Sequence, residues 1–331
     1  MSYGALLLPS FGVLAVAVLV ALAVDRWWGE PPVRWHPVVW MGNALERLGR
    51  WAAPVVGRHE SAATGPFVRG ALAWLCLALV VCAVAFALQT LLLQGPAWVQ
   101  VLLLGLCLKP LLAWRMLRTE VAAVDVALEQ SLQAGRERLS WLCSRDVSQL
   151  TESEVRETAI ETLAENLNDS VVAPVFWFLL AGLPGAALYR VANTADAMWG
   201  YRGERQGRVW TWAGKWAARA DDVLSWLPAR LTAGLLWLAG RGAGAPSPQW
   251  ARLPREAAAT PSPNGGWPMA TMALALGVRL GKPGVYVLNA NGVEPGSAHV
   301  GQAIRLAGRV VRWLAALCIL APLSIWIGTL S

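Results

Sequence analysis

Two long stretches without a single charged residue, Gly4 to Val24 and Gly70 to Leu108, constrain this chain more than any other feature. A hydrocarbon core of roughly 30 Å asks a crossing helix for about 20 consecutive apolar residues, and both stretches supply them. The composition agrees: 56% of the 331 residues are hydrophobic and 15% are charged, against about 25% charged in an ordinary soluble domain. The first segment resembles a signal peptide in one respect, the small-residue pattern Ala21-Leu22-Ala23. A signal peptide carries a basic leading region, and no Lys or Arg precedes Arg26, so an uncleaved span is expected.

The charges organise the rest. The net charge of +7 comes almost wholly from Arg, which in a membrane chain reports cytoplasmic loops beside anionic lipid headgroups rather than nucleic-acid binding. After Val24 come the interfacial Asp25-Arg26-Trp27-Trp28 and the prolines Pro31, Pro32 and Pro37. Residues 25–67 read as a loop with one short amphipathic helix near Met41–Trp51. A span from about Val68 to Leu93 turns at Gln94-Gly95-Pro96 and returns through Ala97 to Trp114. That turn is uncharged and both outer flanks are Arg-rich, so 25–67 and the region after 114 are expected in the cytoplasm. A polar-faced helix follows over Met116–Gln133. Another runs from Thr151 to about Asn168, since Thr151-Glu152-Ser153-Glu154 has the form of a capping box.

Val171–Val191 is apolar but interrupted at Gly182-Leu183-Pro184-Gly185. A re-entrant hairpin there keeps the basic segment 190–219 on the cytoplasmic side. Val223–Ala239 reads as an apolar helix interrupted by Pro228, 240–266 as a loop, Trp267–Leu280 as a short helix, and the last span lies within Leu314–Leu330. The expected fold class is all-α: a polytopic helical membrane protein, one integral domain over 1–331, with about four to six membrane segments and amphipathic cytoplasmic helices. Its cytoplasm-facing catalytic regions would lie in 115–222 and 241–300. Cys76, Cys82, Cys107 and Cys318 lie in apolar runs, Cys143 stands alone, and His36, His59 and His299 are scattered, so neither zinc nor haem is expected.

Charge is segregated in the middle of the chain. From Asp146 to Tyr189 the only base is Arg156, while Glu157, Glu161, Glu165 and Asp169 recur every four residues. Such residues are neighbours on a helix, and like charges there repel. The stripe either is a solvated acidic face or gathers carboxylate and amide oxygens of Glu161, Glu165, Asn166 and Asp169 for a hard cation such as Mg²⁺. Then comes the complement: Arg190, Arg202, Arg205, Arg208, Lys215 and Arg219 against Asp196 and Glu204. Guanidinium forks take phosphate oxygens bidentately, although a positive-inside loop explains the run equally well. Asp221-Asp222 stands before an apolar helix, as an N-cap or as a pair for metal or amine. Pro261-Ser262-Pro263-Asn264-Gly265-Gly266 is a tight turn with backbone N–H groups to offer.

In order along the chain, these blocks resemble a known family. The resemblance runs through Asp25-Arg26-Trp27-Trp28-Gly29-Glu30-Pro31 with His36-Pro37-Val38, and Ser144-Arg145-Asp146-Val147-Ser148-Gln149-Leu150. It continues in Glu161 to Asp169 with Ala173-Pro174, in Val191 to Tyr201, in Ala220-Asp221-Asp222 with Leu227-Pro228-Ala229-Arg230-Leu231, and in Ser262-Pro263-Asn264 with Gly277 to Gly281. These are similar to the adenosylcobinamide-phosphate synthase family (CobD/CbiB) over most of the chain. Two positions depart from the family pattern. Glu30 stands where Asp is expected, and Met269 where an acid is expected.

The resemblance implies an ATP-dependent amide ligase of the cell inner membrane, its active site facing the cytoplasm. It would join 1-aminopropan-2-ol, or its O-phosphate, to a carboxylate of the corrinoid adenosylcobyric acid, with Mg²⁺ and ATP as co-substrate. On that reading Glu161, Glu165, Asp196, Asp221 and Asp222 are the catalytic candidates, and Glu161, Glu165, Asn166 and Asp169 the metal set. Substrate and nucleotide would meet Arg145, Asp146, Asn193, Thr194, Tyr201, Arg202, Lys215, Arg219, Arg230, Ser262 and Asn264. Membrane lipid and other membrane enzymes of the pathway would be its neighbours. The rival readings are an ion-coupled transporter and an AmpE-like non-catalytic sensor.

Overall fold

The computed structural model describes residues 8–57, 63–241 and 247–328; His59, residues 4–7 of the first expected span, 329–330 of the last and part of the 240–266 loop lie outside them. The helices are α1 (Phe11–Trp27), α2 (Pro37–Ala52), α3 (Thr64–Leu92), α4 (Ala97–Leu108), α5 (Trp114–Gln130), α6 (Leu132–Leu139), α7 (Glu152–Leu167), α8 (Ala173–Trp199), α9 (Lys215–Arg241), α10 (Leu253–Ala257), α11 (Gly266–Leu276) and α12 (Ser297–Gly328). Two antiparallel pairs, β1 (Glu204–Arg205) with β2 (Arg208–Val209) and β3 (Leu280–Lys282) with β4 (Tyr286–Leu288), complete the described fold. Among the described residues four helical runs are long and apolar enough to cross a membrane: Thr64–Leu92, Ala97–Gln130, Glu152–Trp199 and Lys215–Arg241. The uncharged part of the third is Val171–Tyr189, so α7 lies ahead of it. Outward residues of α3 such as Leu72, Leu79, Val80, Val84 and Leu91 are exposed, a surface suited to lipid and not to water.

The chain divides into two compact units. One comprises Met1–Leu112, Ala173–Leu224 and Cys318–Ser331. In it α1 packs on α4 and α3 on α8. The returning span was expected to continue to Trp114, but α4 stops at Leu108 and Lys109–Leu111 forms a 3₁₀ turn. Pro110 explains the stop, because it cannot donate to the helix ladder and crowds the preceding turn. The same turn buries Lys109. Its Nζ lies 3.2 Å from Asp25 Oδ1 and 2.9 Å from Glu30 Oε1, and donates to Leu112 O at 3.3 Å. The ammonium thus pairs with two carboxylates and donates to one carbonyl, and His36 Nε2 meets the other Glu30 oxygen at 3.1 Å.

Helix α8 breaks where the glycine–proline cluster was read. Ala181 (φ −134°) and Gly182 (φ 66°) leave helical geometry, and the left-handed value favours glycine. The buried amide Gln89 of α3 fills the gap, its Oε1 accepting from Leu183 N at 2.8 Å. The half from Ala173 to Leu180 spans about 12 Å, too short to cross a bilayer by itself. By contrast, Pro228 does not interrupt α9. Without a proline N–H, the carbonyl four residues earlier loses its ladder bond; Trp177 Nε1 donates to that Leu224 oxygen at 3.0 Å instead. Helix α9 also begins at Lys215, so Asp221-Asp222 lies inside it and neither residue is its N-cap.

The second unit comprises Ala113–Val172 and Ser225–Leu317. Its core includes Val121, Val124, Ile160, Leu163, Met272 and Val310. Helix α7 starts with the expected capping box: Thr151 Oγ1 accepts from Glu154 N and Thr151 N donates to Glu154 Oε2. Past Leu167 the chain widens into a π turn over Asn168–Val172, which shifts Asp169 out of the four-residue register read from the sequence. Asn168 Oδ1 there accepts from Thr232 Oγ1 at 3.0 Å. Helix α6 was not foreseen; Ser131 caps it at Ala134 N. Nor were α10 and the hairpins, and α11 ends at left-handed Gly277 instead of running to Leu280.

Candidate active site

The acidic stripe on α7 is solvated only at its end: Glu165 is exposed, but the two carboxylates before it are not. Glu157 and Glu161 are each 2% exposed, and each has an arginine brought from elsewhere. Arg145, on the loop before α7, donates from Nη2 to Glu161 Oε2 at 2.8 Å. Arg279, leading into β3, donates from Nη2 at 3.0 Å and Nε at 3.3 Å to Glu157 Oε1. Buried carboxylates need such partners, since an ion taken out of water unpaired costs several kcal/mol. Burial opposes the Arg145 charge, but Glu161 outweighs it and holds the guanidinium above its ordinary value. Glu157, through its hydrogen bonds, does the same for Arg279.

Glu161 keeps one oxygen uncommitted: Oε1 is buried and has no hydrogen-bond partner among the described residues, and Arg145 Nη1 is in the same state. Tyr286 on β4 stands close by. Burial first, then the carboxylates of Glu161 and Glu165, push its phenol far above the ordinary tyrosine value. The turn ahead of α11 reaches Glu165, where a Cβ added to Gly265 would stand 2.9 Å from Glu165 Oε1. Ser262 Oγ accepts from Asn264 N at 3.2 Å and Gly265 N at 3.1 Å, so these two amides are already occupied. Arg230 holds the same turn. It donates to Asn264 Oδ1 at 3.0 Å and Pro263 O at 3.3 Å, lying over Trp226 and Trp267.

The expected metal set is not gathered as four ligands. Among the described residues no group of three His, Cys, Asp or Glu is placed to hold a metal ion. Glu161 pairs with Arg145, Asn166 Nδ2 donates to Thr162 O at 3.0 Å, and Asp169 Oδ1 accepts from Asn168 Nδ2 at 2.8 Å. Asp146 is exposed and accepts from Ser148 N at 2.9 Å, a bond that holds its carboxyl below the ordinary value.

The remaining candidates belong to the first unit. Asn193 Nδ2 reaches Asp221 Oδ1 at 3.5 Å, Arg190 reaches Asn193 Oδ1 at 3.4 Å, and Thr194 Oγ1 donates to Arg190 O at 2.6 Å. Asp222 lies 3.9 Å from Arg219. Asp196 O accepts from Gly200 N at 2.7 Å, closing α8. Tyr201 takes the Arg205 guanidinium on its ring at 3.7 Å, and Lys215 sits 4.1 Å over Trp212. Arg202 adds its charge to this polar set. Of the residues singled out in the sequence, Arg145, Glu161, Glu165, Arg230, Ser262 and Asn264 thus belong to one unit and Asn193, Asp196, Asp221 and Asp222 to the other. The sequence reading missed Tyr286 and Arg279. The Gly277–Gly281 block flagged Arg279's neighbourhood; nothing local flagged Tyr286.

The comparisons with known proteins cover most of the chain. The probable cobalamin biosynthesis protein CobD of Methanothermobacter thermautotrophicus is 40% identical over 278 residues, 82% of this chain and 85% of that one. The cobalamin biosynthesis protein CobD of Chromobacterium violaceum is 39% identical over 320 residues, 94% and 97% of the two chains. That of Rhodobacter capsulatus is 36% identical over 315 residues, 90% and 94%. No solved structure matches. The family model described as CobD/Cbib protein matches residues 18–308, and with relatives of this identity and coverage the chain belongs to the CobD/Cbib family.

Proposed function

We propose that this protein works in cobalamin biosynthesis as an ATP-dependent amide ligase, joining 1-aminopropan-2-ol or its O-phosphate to a carboxylate of adenosylcobyric acid. The carrying observation is the buried Arg145–Glu161 pair with an uncommitted oxygen and an uncommitted nitrogen, set beside Glu165, Tyr286 and the Ser262–Gly265 turn. The named relatives are cobalamin biosynthesis proteins, which supports the corrinoid as substrate.

A carboxylate does not condense with an amine unaided. In the proposed route the γ-phosphoryl group passes to a corrinoid carboxylate oxygen and ADP leaves. The amine nitrogen then attacks the acyl carbon, loses a proton, and expels phosphate carrying that oxygen. Magnesium commonly arrives on phosphate oxygens and adds only one or two protein carboxylates; Glu161 Oε1 with Glu165 fits that need, where a four-ligand cage does not. When bound, the metal would neutralise charge developing on the transferred group. Arg145 would orient the same group through its uncommitted N–H, and the burial of Glu161 keeps bulk water from competing. Arg230 fixes the turn that faces Glu165. Asp196, Asp221, Asp222, Arg202, Lys215 and Arg219 belong to the first unit and have no part in this step.

The test is turnover by the purified full chain with cobyric acid, ATP–magnesium and each amine, measuring amide product and ADP. Carboxyl-¹⁸O cobyric acid should deliver one label to inorganic phosphate. Label in AMP would replace the acyl-phosphate route with an adenylate, and absence of both product and nucleotide cleavage would sink the ligase reading. The proposed cytoplasmic side for 115–170 and 190–222 predicts that cysteines placed at Ser148 and Gly203 resist labelling from outside intact cells. Labelling at either position would refute it.

A further inference from the structure

A cavity of about 420 Å³ opens in the second unit between α7 and the β3–β4 hairpin, lined by Glu154, Glu157, Arg279, Gly281, Lys282 and the turn to Tyr286. Its two walls carry opposite charge. Glu154 and Glu157 lie on α7, and Arg279 and Lys282 on the hairpin. Glu154 serves the capping box, leaving Glu157 as the carboxylate of the negative wall. Glu157 is almost wholly buried, and both Arg279 bonds go to its Oε1. Its Oε2 takes no hydrogen bond among the described residues and faces the gap in front of Gly281, where an added Cβ would stand 3.5 Å away. On the other wall Lys282 is exposed and in no ion pair among the described residues.

We propose that this cavity seats a small zwitterion, its ammonium against Glu157 Oε2 and a phosphate ester against Lys282. Arg279 is already held by Glu157 Oε1 and lies 3.6 Å from Glu294 Oε1, so the groups left for a ligand are the Glu157 Oε2 acceptor and the Lys282 ammonium, and a zwitterion answers both. The volume suits a short chain and excludes a corrin ring. Tyr286 lines the cavity and also approaches Glu161 and Glu165, so a ligand seated here is one residue away from the proposed site of acyl activation. Resting on the ligase reading, the occupant is the amine co-substrate in its phosphorylated form. Glu157 then receives the amine in preference to Asp196, Asp221 or Asp222, and Lys282 selects amines bearing an anionic group.

The experiment measures KM for the aminoalkyl phosphate, the free amino alcohol and ATP with the full chain in detergent, together with calorimetric binding of the aminoalkyl phosphate. Lys282→Met removes an exposed charge, and Gly281→Val fills the space before Glu157. Each is expected to raise KM and Kd for the aminoalkyl phosphate at least tenfold while KM for ATP stays within twofold. For Lys282→Met, the KM of the free amine should not change. Wild-type KM and Kd in both variants, with product still forming, would overturn the cavity assignment and leave the ligase standing. A wild-type preference for the unphosphorylated amine would also overturn it. Aminoalkyl phosphate binding that Lys282→Met abolishes, in a protein that forms no amide, would uphold the cavity and sink the ligase.

Discussion

Lys109→Met should destabilise the first unit by about 3–5 kcal/mol, the range for breaking a buried ion pair by removing one partner. The structure sets the size of the effect. The Lys109 side chain is 4% exposed and Asp25 1%, and the ammonium lies 3.2 Å from Asp25 and 2.9 Å from Glu30 while donating to Leu112 O. Methionine matches the lysine stem in length and apolar packing, so lost volume contributes little. What remains is two carboxylates at the edge of a membrane helix, with Glu30 still held by His36 and Asp25 without its ammonium. Most of the cost is therefore uncompensated charge and not lost attraction. Removing the charge as well should recover stability: Asp25→Asn with Lys109→Met is expected to be at least 2 kcal/mol, roughly half the single-variant loss, more stable than Lys109→Met alone. The assay is equilibrium unfolding of the four proteins of this cycle in mixed micelles. A Lys109→Met variant within about 1 kcal/mol of wild type, the size of an exposed pair, would refute the reasoning. So would a double variant whose loss equals the sum of the single ones.

Other outcomes follow from the site. Glu165→Gln should abolish turnover with its unfolding midpoint unchanged, because the volume is kept while a charge facing the Gly265 turn is lost; normal turnover would remove Glu165 from the chemistry. Arg230→Lys should lower kcat more than it raises any KM, since lysine cannot bridge Asn264 and Pro263 while lying between two tryptophans; equal loss in Arg230→Ala and Arg230→Lys is expected, and full rescue by lysine would refute it. Tyr286 keeps its proton in the folded chain at pH values where an unfolded tyrosine, with a pKa of about 10, ionises. It therefore lends stability below that pH which is lost as pH rises above it. Ultraviolet titration of Tyr286→Phe should show the same folded-state phenolate signal as wild type up to that pH, and a smaller signal would refute its protection.

What could be read from the sequence was what local chemistry decides. The capping box needs only Thr151 and Glu154, three residues apart, and the break in α8 needs only the Gly182–Gly185 cluster. Uncharged length alone marked α3. Where a distant group decides, the sequence misled. Pro228 looked like an interruption because nothing near it announces that Trp177 will serve the Leu224 carbonyl. The α7 stripe could be read as a solvated face or a cation site, and neither reading showed that its counter-ions come from Arg145 and from Arg279, the latter 122 residues from Glu157. The four-residue spacing of Glu157, Glu161, Glu165 and Asp169 assumed an unbroken α-helix, and the π turn at Asn168 removes its last member. Family resemblance found the blocks that hold Arg145, Glu161 and Asn264, but it could not say that Ser262 would occupy the loop amides or that a tyrosine from a hairpin would complete the site.

The Gln89–Leu183 bond also carries a consequence for biogenesis. Domains form from the N-terminus as the chain is made, and α3 enters the membrane well before α8 is synthesised. The acceptor for the broken helix is thus waiting when Gly182 arrives. In a split or permuted chain that delivered α8 first, the Leu183 N–H would meet hydrocarbon with nothing to receive it, at a cost of several kcal/mol. Insertion would then stall at that step or expose a recognisable defect to quality control. The natural order of the two helices makes the break safe to build.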